Sequence, residues 1–296
     1  MDLLAPLPGI FAVVAPVFLI AALGFAWTKA KLPYDSAFIT TFAINVSSPS
    51  LVFSALTRIH LSGDAMLTMA AASLLCIGLV AVMSTPVLLA LRLPLRVYLP
   101  ALSFPNAGNL GLPVCLFAFG EQGLSLGVLF FAVFSVLQFT VGPAVAAGRA
   151  DLRQILRTPV VYAVALAIGV QVWGVGVPLW IENTTTLLGN CAVPLMLLSL
   201  GVALARLRLA GTARAMGMSA LRIGLGLVAG IVVTWLLGME GMARGVVLLQ
   251  SSMPVAVFNY LWALRFNNAP EEVAGMVLCS TAMAFVVLPV LLLVVM

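Results

Sequence analysis

Charged residues are scarce in this sequence, and their scarcity excludes an ordinary soluble domain. Only 8% of the 296 residues are Asp, Glu, Lys or Arg, while 63% are hydrophobic. A soluble domain carries about 25% charged residues to cover its surface. The outer surface of this chain must therefore face lipid, and we predict an all-α integral membrane protein. The length allows about ten helical spans of about 20 residues each.

Histidine and metal-binding motifs are also lacking. His60 is the only histidine, and no cysteine has the spacing of a metal ligand. The cysteines are Cys76, Cys115, Cys191 and Cys279, and all lie inside apolar runs. We expect them to be reduced and buried, as small hydrophobic residues. A zinc site, a His-based triad and an HExxH motif are excluded, so we predict no metal, no cofactor and no enzymatic activity.

The basic residues predict the orientation in the membrane. The 14 Lys and Arg residues are scattered between apolar runs, so no basic stripe is available to bind nucleic acid. Eleven of them fall on one side of the predicted bundle: Lys29, Lys31, Arg92, Arg96, Arg149, Arg153, Arg157, Arg206, Arg208, Arg214 and Arg265. Basic loops stay in the cytoplasm. We therefore predict a multi-pass protein of the cell inner (plasma) membrane with both termini outside the cytoplasm.

The apolar runs predict ten spans, and the chain repeats itself. The spans are 9–27, 36–57, 65–91, 97–118, 124–147, 159–180, 184–205, 213–237, 243–265 and 272–295. At an offset of 145 residues, rare residues match in pairs: Gly24 with Gly169, Pro33 with Pro178, Asn45 with Asn190, Pro49 with Pro194 and Ser54 with Ser199. Five spans in each half is an odd number, so the halves, residues 1–148 and 149–296, must have opposite orientations. Inverted repeats are a common plan of transporters.

Four spans contain residues that interrupt helices. Asn45 and Pro49 lie in the second span, and Asn190 and Pro194 lie at the matching place in the seventh. The fourth span contains FPNAGNLGLP at residues 104–113, and the ninth contains SSMP followed by Asn259. Because a proline removes a backbone hydrogen bond, such breaks must be buried in protein or line a wet cavity.

These interruptions predict a site for a small anion. We expect the fourth and ninth spans to split near Pro113 and Pro254, which places two helix N-termini with partial positive charge near mid-bilayer. Asn106, Asn109 and Asn259 add amide donors that can bind a carboxylate. No Asp or Glu lies at the centre of a predicted span, which disfavours cation antiport. Sodium coordination by backbone and side-chain oxygens stays open.

Arg222 is the one candidate charge within a span. It lies just inside the eighth span, and two interpretations are open. The guanidinium can contact the substrate, or it can extend to the cytoplasmic interface near Arg214. We expect the second arrangement.

The motifs together resemble the auxin efflux carrier family, which includes plant auxin exporters and bacterial carriers linked to malate or malonate. The similar strings are FPNAGNLGLPV in the fourth span, the NxxxP of the second, VPLMLLSLGVALA in the seventh and SSMPVAVFNYLWALRF in the ninth. The resemblance implies two inverted five-helix repeats with a crossover of broken helices, a scaffold bundle, a moving transport bundle and a homodimer. It also implies that Asn106 contacts a carboxylate and that Pro113 and Pro254 are the crossover prolines.

The chain departs from its plant relatives in two respects. Only about a dozen residues connect its halves, and Phe134-Ser135 stands where relatives often have an amide on the fifth span. We therefore expect an elevator-type secondary carrier for a small mono- or dicarboxylate, auxin-like or malate- or malonate-like. A sodium-coupled organic anion symporter with a bile-acid-transporter-like fold and a passive anion channel are the alternatives. Substrate contacts are expected at Asn106, Asn109, Pro113, Pro254, Asn259, Asn45, Pro49, Asn190 and Pro194.

Overall fold

Helices account for all the regular structure in the described part of the chain. The computed structural model describes residues 7–58, 63–148, 159–207 and 212–295. Within these ranges the only strand-like pairing is a bridge between Pro105 and Val255. The helices are α1 (Leu7–Lys29), α2 (Ser36–Phe42), α3 (Ser48–Arg58), α4 (Gly63–Ala90), α5 (Leu95–Ser103), α6 (Leu112–Ala147), α7 (Pro159–Trp173), α8 (Leu179–Asn190), α9 (Ala192–Arg206), α10 (Thr212–Leu236), α11 (Gly241–Ser251), α12 (Val257–Arg265) and α13 (Pro270–Val295).

Several residues used in the predictions lie outside the described ranges. They are His60, Arg149, Arg153, Arg157 and Arg208, together with the first residues of the predicted second half.

Seven helical stretches in the described ranges are long and apolar enough to cross a membrane. They are Phe11–Lys29, Ser36–Arg58, Gly63–Ala90, Ala107–Ala147, Leu179–Arg206, Ala213–Leu236 and Pro270–Val295. The helices α5, α7, α11 and α12 are shorter, between 9 and 15 residues. The structure thus supports a multi-pass membrane protein, and the division into ten inverted spans stays a prediction.

Two predicted span boundaries meet a glycine with positive φ. The sixth span, predicted as 159–180, is too long, because α7 ends at Trp173 and Gly174 follows with φ 63°. A left-handed glycine is a common way to end a helix. Within α6, Gly120 has φ 65° and ψ −158° and divides the helix into two segments. This division lies between the fourth and fifth predicted spans.

Two prolines widen the helices that contain them. Residues 43–47 and 107–111 form π-helical turns, and Pro49 and Pro113 lie two residues beyond them. A proline has no N–H and its ring clashes with the carbonyl four residues earlier. In both places the residue before the proline donates instead to the carbonyl five residues back. The prediction of a helix break near Pro113 is therefore wrong, since Pro113 lies in the first turn of α6, where a missing N–H is tolerated.

The described helices pack as two groups. The first bundle contains α1–α3 and α7–α9, and the second contains α4–α6 and α10–α13. In the first bundle α1 and α9 lie in direct backbone contact, because a Cβ on Gly201 would fall 1.8 Å from the carbonyl oxygen of Ala21. Between the bundles, α1, α3 and α9 pack against α6 and the turn before it.

The expectation of four buried cysteines holds for two of them. Cys76 and Cys115 are buried, Cys279 is half-buried and Cys191 is exposed. Cys191 differs because it lies at the junction where the chain leaves α8 and begins α9. All four are free thiols.

Candidate functional site

Two interrupted helices meet in the interior of the second bundle. The chain leaves α5 at Phe104 and leaves α11 at Ser252, and the two extended segments run antiparallel. The backbone N–H of Asn106 donates to the carbonyl of Pro254 at 2.6 Å, and that of Ala256 donates to the carbonyl of Phe104 at 3.2 Å. We call residues 104–106 and 252–256 the crossover. Both segments predicted to be interrupted are interrupted, and the first break is at Pro105 rather than Pro113.

Two helix N-termini begin at the crossover. Asn106 precedes the π-helical turn that leads into α6, and Ala256 precedes α12. Neither residue makes a side-chain cap to the N–H groups of the helix that follows. Helix N-termini carry partial positive charge and unpaired N–H donors. Asn259, in the first turn of α12, donates from Nδ2 to the carbonyl of Phe104 at 2.9 Å and so ties the two segments together.

The C-terminal ends of α5 and α11 contact one arginine. Arg222 of α10 is 1% exposed. Its guanidinium donates to the carbonyl oxygens of Leu102 at 2.6 Å, Ser251 at 2.5 Å and Met253 at 3.4 Å. The expectation that Arg222 extends to the membrane interface is therefore wrong. Its positive charge is instead matched by the partial negative charge of two helix C-termini.

A glycine on α10 permits this contact. A Cβ on Gly226 would lie 2.1 Å from the carbonyl oxygen of Ser251 and 3.1 Å from Nη2 of Arg222. Because glycine has no Cβ, the backbone of α10 approaches the end of α11 closely enough for the guanidinium to bridge both helix ends.

A cavity of about 290 Å³ lies against the two helix N-termini. Its wall in the second bundle includes residues from both helix starts, namely Asn106, Gly108, Asn109, Ala256, Val257 and Phe258. Across from them, the first bundle contributes residues that include Tyr34, Ser36, Ser199 and Arg206. The cavity thus lies between the two bundles and extends from buried Asn106 to exposed Arg206.

Two residues that line this cavity have buried amide donors without a partner among the described residues. The donors are Nδ2 of Asn106 and Nε2 of Gln138, and each side chain is only 3% exposed. A buried donor without a partner costs about 1–3 kcal/mol. A group that enters the cavity and accepts these hydrogen bonds recovers that energy. Such donors favour a ligand with hydrogen-bond acceptors, and helix N-termini favour a ligand that is negatively charged.

The sequence matches a known family of transporters. A family model described as membrane transport protein matches residues 143–292, about half of the chain. The chain belongs to this family. It is also 28% identical over 268 residues to an uncharacterized transporter of Methanothermobacter thermautotrophicus, covering 86% of this chain and 87% of that one. The resemblance to the auxin efflux carrier family is thereby confirmed, and the chain is a membrane transporter.

The structure brings some of the predicted site residues of this transporter together and leaves others apart. Asn106 and Asn109 line the cavity. Asn259 and Pro254 are buried at the crossover beside it, and Pro113 is buried in the first turn of α6. The remaining four lie outside the cavity wall: Asn45, Asn190 and Pro194 are exposed, and Pro49 is half-buried.

Gln138 and Arg206 also line the cavity, although neither is among the substrate contacts expected from the sequence. The sequence places Phe134-Ser135 where relatives have an amide, but Gln138 lies one helical turn later on α6 and lines the cavity. The sequence does indicate Gln138, because it is the only amide residue between positions 123 and 147. In the sequence, Arg206 serves only to predict the orientation in the membrane. In the structure its Nη1 donates to Oγ of Ser36 at 2.6 Å at the cavity wall.

A second cavity lies between the same two bundles. It has a volume of about 1180 Å³ and is lined by residues of α3 and α7 from the first bundle and of α4 and α6 from the second. An ion pair between Arg58 and Glu182, 3.2 Å apart, lies on its wall. Its α6 residues include Leu129 and Val133, which precede Gln138 on the same helix.

Proposed function

We propose that this protein is a secondary carrier that moves a small organic anion, a mono- or dicarboxylate, across the membrane by alternating access. The observation that carries the proposal is the pair of buried, unpartnered donors on Asn106 and Gln138, two residues that line one cavity together with two uncapped helix N-termini. Membership of a membrane transport family supports the general class. The identity of the anion is inferred from the chemistry of the donors.

The proposed site binds one carboxylate without a dedicated counter-charge in the cavity interior. Nδ2 of Asn106 and Nε2 of Gln138 donate to the carboxylate oxygens, and the partial positive charge of the helix starts at residues 107 and 257 stabilises the negative charge. Asn109 is a further donor on the cavity wall. Auxin-like and malate- or malonate-like acids share this carboxylate chemistry.

Movement of one bundle against the other would provide alternating access. We propose that the second bundle, which carries the crossover, moves as an elevator against the first. Two cavities between the bundles, one at the crossover and one along α3, α4, α6 and α7, support this arrangement. As the bundles shift, the anion would be exposed first to one cavity and then to the other.

The ten-span plan and the orientation belong to the same proposal. Spans 4 and 9 correspond to α5 with the first segment of α6, and to α11 with α12. The interruptions at residues 43–47 and at Cys191 support the repeat, because they lie near the matched pair Asn45 and Asn190. We propose an inner-membrane protein that forms a homodimer, with both termini outside the cytoplasm. Export of an anion would then gain about 2.3 kcal/mol per charge at 100 mV.

The proposal is tested by comparing two asparagines. Thermal unfolding of the purified protein is measured with malate, malonate and indole-3-acetate, and counterflow is measured in proteoliposomes with the acid that stabilises most. Asn106→Ala removes a donor to a charged group, worth about 1.5–3 kcal/mol, so we expect affinity to fall about 10- to 100-fold. The control Asn45→Ala alters an exposed asparagine outside the cavity and should bind like wild type.

Two outcomes would contradict the proposal. Equal affinity of Asn106→Ala and wild type would remove the amide from the site. Single-channel currents in planar bilayers at rates far above those of a carrier would favour the passive anion channel instead.

A further inference from the structure

Arg222 is the only charged side chain in the described ranges that is buried. The ion pairs within these ranges are Arg58 with Glu182 and Arg214 with Glu272, so no carboxylate lies within ion-pair distance of Arg222. An arginine stays protonated in proteins, and a charge in the membrane interior is costly. A buried cation without a carboxylate partner must therefore be stabilised by other groups, and its cost indicates that the charge has a function.

The partners of Arg222 are the oxygens that a bound cation would use. Three carbonyls, from Leu102, Ser251 and Met253, converge on one guanidinium within 3.4 Å. In carriers with discontinuous helices, carbonyls at the C-terminal ends of half-helices coordinate the coupling Na⁺. Here a covalently attached cation already occupies these oxygens, and a second positive charge beside it would be repelled.

We propose that Arg222 is a built-in positive charge at the crossover that takes the place of a coupling sodium ion, so that anion binding is independent of Na⁺. Arg222 is a positioning residue: it fixes the two helix C-termini and balances their partial negative charge, which leaves the N-terminal side positive toward the cavity. This inference rests on the anion-carrier function proposed above, because it concerns whether binding of that anion requires Na⁺.

The test compares the charge-retaining variant Arg222→Lys with the charge-removing variant Arg222→Met. Thermal unfolding of each purified protein is followed in NaCl and in choline chloride at equal ionic strength. We expect wild type and Arg222→Lys to unfold at the same temperature in both salts. Arg222→Met exposes three convergent carbonyls, so it should unfold at a lower temperature in choline chloride and recover part of the loss in NaCl, with a saturable dependence on Na⁺.

Several results would overturn the inference. A saturable stabilisation of wild type by Na⁺ would show that the cation site is open. An Arg222→Met protein as stable as wild type in choline chloride would show that the charge is not needed. If Arg222→Met does not fold, Arg222→Lys decides, since a requirement of that variant for Na⁺ would show that a resident positive charge does not replace the ion.

Failure of the proposed function would look different. The same proteins are titrated with malonate, malate and indole-3-acetate in both salts, with Asn106→Ala as the reference for a damaged anion site. If none of these acids stabilises wild type, the proposed substrate class is wrong, while the salt comparison still decides the role of Arg222. If an acid stabilises wild type only in NaCl, the anion site is supported and the inference about Arg222 is overturned.

Discussion

The two sides of the crossover differ in how the protein treats its helix ends. On one side, the C-termini of α5 and α11 contact Arg222, and α10 packs against them through Gly226. On the other side, the helix starts after Asn106 and Ala256 have no side-chain caps and adjoin a cavity with two unpartnered amide donors. An interrupted helix has two charged ends. Among the described residues, Arg222 neutralises the negative ends and no cap neutralises the positive ones, which supports the anion site proposed above.

We call the side where α10 packs against the ends of α5 and α11 the packed side, and the side that adjoins the cavity the open side. The stability of the protein should depend more strongly on small changes in side-chain volume on the packed side. In Gly226→Ala the new Cβ would lie 2.1 Å from the carbonyl oxygen of Ser251, so α10 must move away from the helix ends. Overpacking of this kind costs about 1–3 kcal/mol, and we expect the upper part of that range with a clear fall in the unfolding temperature. Thermal unfolding in detergent measures the effect.

Gly224 provides the matched control for this prediction. It lies two residues earlier on α10 and is exposed, and a Cβ added to it would have no atom within 4 Å. Gly224→Ala should leave stability unchanged or raise it slightly, because alanine favours a helix by about 0.5–1 kcal/mol over glycine. Equal destabilisation by both variants would show that close packing at Ser251 is not the cause.

The contrast between the two sides also shows what the sequence could predict. That the fourth and ninth predicted spans are interrupted follows from local chemistry, since a proline near an asparagine leaves backbone groups without partners. The same chemistry does not give the place of the first break, which is at Pro105 rather than Pro113. Asn106 could be placed at the site because it lies within such a break. These predictions depend on a few adjacent residues, and no distant contact is needed to make them.

The contacts of Arg222 could not be predicted in this way. The hydropathy around Arg222 is the same whether its side chain extends to the interface or meets the carbonyls of Leu102 and Ser251. Only the packing of α10 against α5 and α11 decides between them. Likewise, Asn45 and Asn109 each lie four residues before a proline, but Asn45 is exposed while Asn109 lines the cavity. The same local pattern accompanies both widened turns, and tertiary packing decides which way each turn faces.

On the open side, loss of a single hydrogen-bond donor should lower the affinity for the carboxylate. In Gln138→Leu the cavity loses the donor Nε2, and a hydrogen bond to a charged group is worth about 1.5–3 kcal/mol. We expect affinity for the stabilising carboxylate to fall about tenfold or more, with little change in the unfolding temperature of the ligand-free protein. Thermal titration with that acid measures both quantities.

The matched control for Gln138 is an amide in the second cavity. Gln171 lines that cavity and donates to the carbonyl of Leu56. Gln171→Leu should therefore lower stability through the lost hydrogen bond and leave carboxylate affinity unchanged. A loss of affinity in Gln171→Leu as large as in Gln138→Leu would place the bound anion outside the cavity at the crossover.

The smallest effect is expected at the rim of the open side, where the field of the helix starts meets solvent. Arg206 is exposed, lies over the ring of Tyr34 at 6.0 Å and forms no ion pair within the described ranges. Its charge attracts anions toward the cavity but is screened by salt over about 10 Å at 0.1 M ionic strength. Arg206→Ala should therefore slow carboxylate uptake into proteoliposomes by about two- to threefold at low salt and have no effect at high salt. Arg265→Ala removes an exposed charge outside the cavity wall and should change neither rate. A loss in Arg206→Ala that persists at high salt would mean that the guanidinium binds the anion directly, which would extend the site from the helix starts to the first bundle.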